Sequence, residues 1–205
     1  MQMIPHTTAG EISPIRVFTD GSCVGNGKAS AVAGIGVHFP DGQAPNIGLP
    51  YKGRFLIVDF YTGTLIGETG DGHRATNQRA ELEAIRIAIE LSTQIVGYIP
   101  KDVHIHVYTD SSYAIDALTV WIYNWEKNDW KTAHGRPVKN RDLMEAICKL
   151  MRQNRVVFFH SPAHTSQTDY RSRGNAVADD LAQKASLSQL SGDEKKLRSR
   201  GGRKK

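Results

Sequence analysis

Two short runs, VFTDGS at residues 17–22 and VYTDSS at 107–112, repeat the same order of Val, aromatic, Thr, Asp, small residue and Ser. Each reads as a β-strand that ends on an acid, because β-branched and aromatic residues suit a pleated backbone and Asp beside Gly or Ser suits a turn. If the two strands lie parallel as neighbours, about 4.8 Å apart, Asp20 and Asp110 meet at one edge of the sheet. Two carboxylates held that close repel unless a cation or a proton lies between them. A divalent ion would account for both acids together, whereas ordinary turn chemistry would account for either one alone.

The remaining periodicity predicts how such strands are connected. IRVFT at 15–19 and AGIGVHF at 33–39 are separated by the polar, glycine-punctuated GSCVGNGKAS, which suggests an antiparallel pair joined by a loop. Either NIGLP or RFLIVDFYT supplies a third strand, and the other belongs to an insertion within 43–75. NQRAELEAIRIAIELS then switches to three- and four-residue spacing, the pattern of an amphipathic helix. VHIHVYT at 103–109 reads as a strand running into a helix from about Ser112, with Leu118, Trp121, Ile122 and Trp125 on its apolar side. The helix RDLMEAICKLMRQ, the strand RVVFFH at 155–160 and a final helix GNAVADDLAQKASL complete the order. Three strands joined by hairpins, followed by strands that return after helices, define an α/β mixed sheet in which the later strands run parallel to the first.

Charge and cysteine content narrow the function classes. The chain of 205 residues carries a formal charge of +5, but the segment from Asp193 holds seven Lys/Arg against two acids, so residues 1–192 balance at 19 basic and 19 acidic. The expected organisation is an N-terminal extension at 1–14, one domain at 15–187 and a basic, flexible tail at 188–205. Cys23 and Cys148 lie far apart without CxxC spacing, which argues against a disulfide framework or a zinc site. No window approaches the roughly 18 apolar residues of a membrane span, and MQMIPHTTAG lacks the charged and apolar regions of a secretory signal. The expectation is an intracellular protein of the cytoplasm or nucleus, without a membrane or an organic cofactor as partner.

Further acids extend the proposed cation site. Glu81 follows TNQRA at the opening of the first helix, and Asp179 lies in GNAVADDLA at the start of the last one. Four carboxylates from four segments can hold two hard cations roughly 4 Å apart, an arrangement used for in-line phosphoryl displacement. Taken singly, Glu81, Asp179 and Asp180 are also ordinary first-turn acids favoured by a helix dipole.

FTDGSC, TNQRAELEA, YTDSSYAI, NWEKNDWKTAHGRPVKNRDL and GNAVADDLA, in this order over roughly residues 15–186, resemble the successive motifs of type 1 ribonuclease H. The resemblance implies a ribonuclease H-like fold, with a five-stranded mixed sheet flanked by helices. Strands 1–3 would be antiparallel, and strands 4 and 5 parallel to strand 1. It implies hydrolysis of the RNA strand of RNA/DNA hybrids by a monomer with two Mg²⁺ ions per site, Mn²⁺ able to substitute, and products with 5′-phosphate and 3′-hydroxyl ends. The family's metal-binding acids then fall on Asp20, Glu81, Asp110 and Asp179. The position two residues before Leu-Ala selects Asp179 over Asp180. His164 in SPAHTS matches a histidine thought to aid proton transfer or product release.

The same resemblance assigns Asn26, Asn77 and Gln78 to the RNA strand, where a 2′-hydroxyl must be sensed as donor and acceptor. It assigns Arg74, Thr76, Trp125 and Asn140 to the DNA strand and its phosphates. On its own, Asn77 is also good helix-cap chemistry, and Trp121 and Cys148 read as packing residues. The sequence departs from the family pattern in the long 43–75 link, the long loop from His164 to Gly174 and Ala176 where Glu is common. Only about 14 residues precede the first strand, too few for the separate hybrid-binding domain of some members. Four intact acids favour an active enzyme over a hybrid-binding module without catalysis, and a start at Met1 favours a free-standing chain over a reverse-transcriptase domain.

Overall fold

The computed structural model describes residues 13–96, 103–162, 169–192 and 194. Its strands and helices follow the order β1 (Ile15–Val24), β2 (Val32–His38), β3 (Ile47–Tyr51), β4 (Phe55–Val58), β5 (Leu65–Thr69), α1 (Asn77–Val96), β6 (His104–Thr109), α2 (Ser112–Asp116), α3 (Ile122–Lys127), α4 (Arg141–Gln153), β7 (Arg155–His160) and α5 (Tyr170–Ser188). A π-helical turn, Ala117–Trp121, joins α2 to α3.

Five strands form one sheet in the order β3-β2-β1-β6-β7, with β1, β2 and β3 antiparallel and β6 and β7 parallel to β1. This is the mixed ribonuclease H-like sheet expected from the sequence. Thr19 pairs with Thr109, so the residues that follow, Asp20 and Asp110, leave the ladder side by side. Alternation along β1 sends Val17 and Thr19 toward α1 and Phe18 and Asp20 toward α5. The main core lies under α1 and α4, where Leu82, Ile85, Ile89, Leu118, Ile147 and the sheet residues Ile35 and Ile105 lose essentially all contact with solvent.

The structure chooses between the two candidates for the third strand, and it takes the less β-like one. Ile47 and Tyr51 are fully buried as the end anchors of β3, and Gly48 between them lets Leu181 of α5 pack close. The more strand-like RFLIV forms β4, which pairs with β5 in a separate hairpin. That hairpin is fastened to α1: the Leu56 N–H donates to Glu83 Oε1 at 2.6 Å, and Arg86 Nη2 donates to the Leu56 carbonyl at 2.6 Å.

Four expectations need correction. β1 runs on to Val24, so Asp20 sits within the strand and Gly21, Ser22 and Cys23 pair with β2 instead of opening a loop. The helix from Ser112 is interrupted by the π turn. That turn belongs with Trp121 lying 38% exposed instead of in the core. Glu81 lies in the second turn of α1, because Asn77 begins the helix. The last helix starts at Tyr170, where Asp169 caps the N–H groups of Arg171 and Ser172, so Asp179 belongs to its third turn.

Candidate active site

Two glycines bring three acid-bearing backbones together. A Cβ on Gly21 would overlap the backbone nitrogen of Glu81, and one on Gly36 would overlap the carbonyl of Ala178. Without side chains there, α1 presses against β1 on one face of the sheet and α5 against β2 on the other. Glu81 and Asp179 are thereby delivered from opposite sides to the place where Asp20 and Asp110 emerge. All four carboxylates line one cavity of about 390 Å³, together with Asn77, Ser22, Cys23 and Gln183.

The electrostatics are those of crowded negative charge. Asp20 is 7% exposed. Burial first, then the charges of Asp110 and Asp179, push its carboxyl up to about 8. Glu81 is pushed up to about 7, mainly by burial and further by Asp110, while hydrogen bonds from Ser111 and Asn77 pull the other way. Asn77 Nδ2 donates to Glu81 Oε1 at 2.5 Å, and the Ser111 hydroxyl donates to Glu81 Oε2. Gln183 Nε2 donates to Asp179 Oδ1 at 2.6 Å. Asn175, almost fully buried, places Nδ2 3.5 Å from Asp110 Oδ2, and its Oδ1 has no hydrogen-bond partner among the described residues.

Ser111, Asn175 and Gln183 were not singled out in the sequence. Ser111 and Asn175 had a visible signal, since each stands inside a motif that carries an acid. Asp180, one residue from Asp179, points elsewhere: its exposed carboxylate is bound by Lys184 Nζ at 2.6 Å.

The donor set is all oxygen, which suits Mg²⁺ or Mn²⁺. Among the described residues, no group of three or more His, Cys, Asp or Glu side chains converges to hold a metal ion by itself. The carboxylates line a cavity without closing a cage, which fits ions that retain several waters and take further ligands from a substrate phosphate. The raised Asp20 and Glu81 carboxyls point the same way, since in the absence of a cation protons are what relieve the repulsion.

The remaining assigned residues form two groups. At the start of α1, the Asn77 N–H donates to Asn26 Oδ1 at 3.3 Å, and Gln78 beside it is exposed. Asn77 therefore both begins the helix and touches the acid site. Arg74, Thr76 and Asn140 line a second cavity of about 570 Å³ with His73, Arg79 and Lys139. Its walls are joined by Arg79, which grips Asp142 of α4 through two bonds of 2.8 and 2.6 Å. Asn140 occupies the left-handed region at φ 59°, which Asn tolerates better than most residues. Its Nδ2 donates to the Tyr113 hydroxyl at 3.2 Å. Trp125 lies outside that cavity, in a ring series with Trp121 and Trp130 at centroid distances of 5.6 and 6.4 Å. His164 and most of the basic tail fall outside the described residues.

The RNase H family model matches residues 13–187. The chain belongs to the RNase H family. It is 36% identical over 168 residues to a ribonuclease H of Schizosaccharomyces pombe, covering 82% of this chain and 51% of that one. It is 30% identical over 172 residues to ribonuclease HI of Haemophilus influenzae, covering 83% and 88% respectively. The chain thus spans about half the length of the fission-yeast ribonuclease H and most of the bacterial one. In fold, it resembles a foamy viral protease-reverse transcriptase solved in complex with RNA/DNA hybrid, with TM-score 0.58 and 17% identity, covering 92% of this chain and 22% of that one. It also resembles LC9-RNase H1, described as a type 1 RNase H, with TM-score 0.55 and 23% identity over 95% of this chain and 82% of that one.

Proposed function

We propose that this protein hydrolyses the RNA strand of RNA/DNA hybrids at the cavity lined by Asp20, Glu81, Asp110 and Asp179, leaving 5′-phosphate and 3′-hydroxyl ends. The observation that carries this reading is that four carboxylates from four separate elements line one cavity, two of them driven toward neutrality by burial and by neighbouring acids. Family membership and the hybrid-bound reverse transcriptase of like fold support the choice of substrate. The four acids would hold two Mg²⁺ ions, or Mn²⁺ in their place. Such a pair, when bound, lowers the pKa of the attacking water and stabilises charge on the departing oxygen.

The protein's own groups orient and select. Ser111 and Asn77 fix the Glu81 carboxylate, Gln183 fixes Asp179, and the Asn175 amide faces Asp110. Asn26, Asn77 and Gln78 present neutral donors and acceptors beside the acids, the chemistry needed to recognise a 2′-hydroxyl. Arg74, Thr76 and Asn140 would take a phosphate of the DNA strand, with Trp125 against its sugars. His164 would carry a proton to or from the reacting oxygens. Residues 15–187 act in this reading as a monomeric catalytic domain of the cytoplasm or nucleus, and the basic tail from 188 holds nucleic acid nearby. No helix among the described residues is long and apolar enough to cross a membrane.

The test is incubation of the purified protein with strand-labelled RNA/DNA hybrid, RNA/RNA and DNA/DNA, with and without Mg²⁺. Cleavage confined to the RNA strand of the hybrid, and only with the cation, is expected. Equal cutting of all three duplexes, or cutting that persists in EDTA, would contradict the proposal.

A further inference from the structure

Arg74 stands between the two groups of assigned residues and touches both. Its side chain lines the cavity of about 570 Å³ together with Thr76, Lys139 and Asn140. Part of its guanidinium is engaged elsewhere: Nε donates to the Lys28 carbonyl at 3.0 Å, and Nη2 donates to the Gly27 carbonyl. Both carbonyls belong to the turn between β1 and β2 that carries Asn26. Residues 26–30 of that turn are exposed, so buried packing does not locate them. The turn's own bonds, from the Lys28 N–H to the Gly25 carbonyl at 2.9 Å and from the Ala31 N–H to the Lys28 carbonyl at 3.2 Å, close it on itself. Among the described residues, the hydrogen bonds that fasten 26–28 to the rest of the chain come from Arg74 and from Asn77, whose N–H reaches Asn26 Oδ1 at 3.3 Å. Asn77 in turn donates to Glu81 Oε1 at 2.5 Å.

A hydrogen-bonded path thus runs from the cavity assigned to a DNA phosphate, through this turn, to an acid of the cleavage site. Resting on the function proposed above, we infer that Arg74 is a positioning residue for RNA selection, holding Asn26 through its turn while the same guanidinium faces the DNA-strand phosphate. The guanidinium is planar and offers five N–H donors in a fixed fork. Donors on Nε and Nη2 go to the turn carbonyls, and the rest of the fork is left for a phosphate oxygen. Asn77 occupies Asn26 Oδ1, so Nδ2 is the part of that amide left to donate to a 2′-hydroxyl oxygen. A rigid plane gripped by phosphate along one edge holds its other edge still, and in this way a DNA partner strand steadies the residue that reads the RNA strand. Lysine cannot do the same, because an ammonium is a point charge on a flexible stem, without a fork to join two carbonyls to a phosphate.

The test uses the full chain and an RNA/DNA hybrid whose RNA strand is either all ribonucleotide or carries a single 2′-deoxynucleotide, moved one position at a time past the main cut site. Cleavage rates are measured in Mg²⁺, and the salt dependence of hybrid binding is measured in EDTA. The position that Asn26 meets is the one at which Asn26→Ala removes the penalty for the deoxynucleotide. There the wild-type protein is expected to cut the substituted strand about five- to tenfold more slowly than the ordinary one, the worth of one hydrogen bond. Arg74→Lys should bring that penalty to within about twofold of none, while keeping the salt dependence, because the charge remains. Arg74→Met should lose the penalty and also flatten the logarithmic salt dependence by roughly 0.9.

Lys139→Met, which removes a charge from the same cavity on its α4 side, should flatten the salt dependence and keep the penalty. On ordinary hybrid, Asn26→Ala combined with Arg74→Lys should slow cleavage by less than the product of the two single losses, as residues that act through one another do. A penalty that Arg74→Lys leaves at its wild-type size would overturn the inference and confine Arg74 to holding phosphate. So would a penalty lost equally in Lys139→Met, since any loosening of the DNA strand would then blur the reading of RNA. Ordinary hybrid that is cut with no position at which the deoxynucleotide and Asn26→Ala coincide would overturn it too, and would leave the enzyme reading intact. Ordinary hybrid left uncut in Mg²⁺ would bring down both.

Discussion

Glu81 and Glu83 stand two residues apart on α1, are both withdrawn from water, and meet opposite surroundings. Glu83 is fully buried, and Arg86 donates to both of its oxygens, at 2.8 and 2.9 Å, while Leu56 donates its N–H. Both carboxylate oxygens and the charge there have partners supplied by the chain, and the result is a clamp for the β4–β5 hairpin. Glu81 meets the charge of Asp110, and the donors that offset it among the described residues are the neutral ones of Asn77 and Ser111. A buried acid with an internal cation is structure. Carboxyls such as Asp20 and Glu81, pushed toward neutrality by burial and by neighbouring acids, call for positive charge from outside, and that call is the physical content of the function proposed here.

The contrast breaks if removing charge at the two places has the same consequence. The largest effect is expected at the acid site: Asp20→Asn or Asp110→Asn should lower hybrid cleavage by roughly 10²–10³-fold or more, as the loss of a principal electrostatic group does, with the fold intact by circular dichroism. Next comes the clamp. Arg86→Met strands the Glu83 carboxylate in the interior and should cost about 3–5 kcal/mol in urea unfolding, while protein that remains folded still cuts. Cleavage lost without loss of stability would assign the clamp to the site. Gly36→Ala tests the scaffold between them. A methyl where the Ala178 carbonyl lies must push α5 outward, so a loss of about 1–3 kcal/mol should accompany slower cleavage. Smallest is Asp180→Asn, which removes only an exposed partner of Lys184 and should change neither stability nor rate appreciably. If it were more damaging than Asp179→Asn, the register at α5 would be wrong.

Stability against pH sharpens the same comparison. In the folded, cation-free protein Asp20 and Glu81 hold protons up to about 8 and about 7, whereas their ordinary values are 3.8 and 4.5. The folded state therefore binds more protons than the unfolded one between those limits, and stability falls as pH rises through this window. Below about pH 4 both states are protonated and the groups contribute nothing. Thermal unfolding in EDTA should show a decline from pH 5 to 8 that is shallower in Asp20→Asn, and that variant should be the more stable protein at pH 8.

The sheet and the site were legible in different degrees. The repeated Val-aromatic-Thr-Asp context gave both the parallel pairing of β1 with β6 and the meeting of Asp20 with Asp110, because register and chemistry coincide there. The acid assignments came from ordered motifs, and the four residues line one cavity. What local pattern misjudged was decided by packing. Gly21 reads as a loop opener, yet it continues β1 because its missing side chain admits the Glu81 backbone. IGLPY is a weaker strand signal than RFLIV, but Ile47 and Tyr51 are what the core takes in. Trp121 has the spacing of a core residue, and the π turn that leaves it exposed has no signature in apolar periodicity. The start of α5 was hidden because Gly174 reads as punctuation, while the Asp169 cap lies further upstream.

The most direct test of the central claim is the number of protons released when Mg²⁺ binds at pH 7, measured by titration calorimetry in buffers of different ionisation enthalpy. Cations entering among Asp20, Glu81, Asp110 and Asp179 must displace the protons that crowding holds there, so saturable binding with release of on the order of one proton is expected. Asp20→Asn should abolish most of that release and weaken the binding. Saturable binding with no proton release, or release unchanged in Asp20→Asn, would contradict the account.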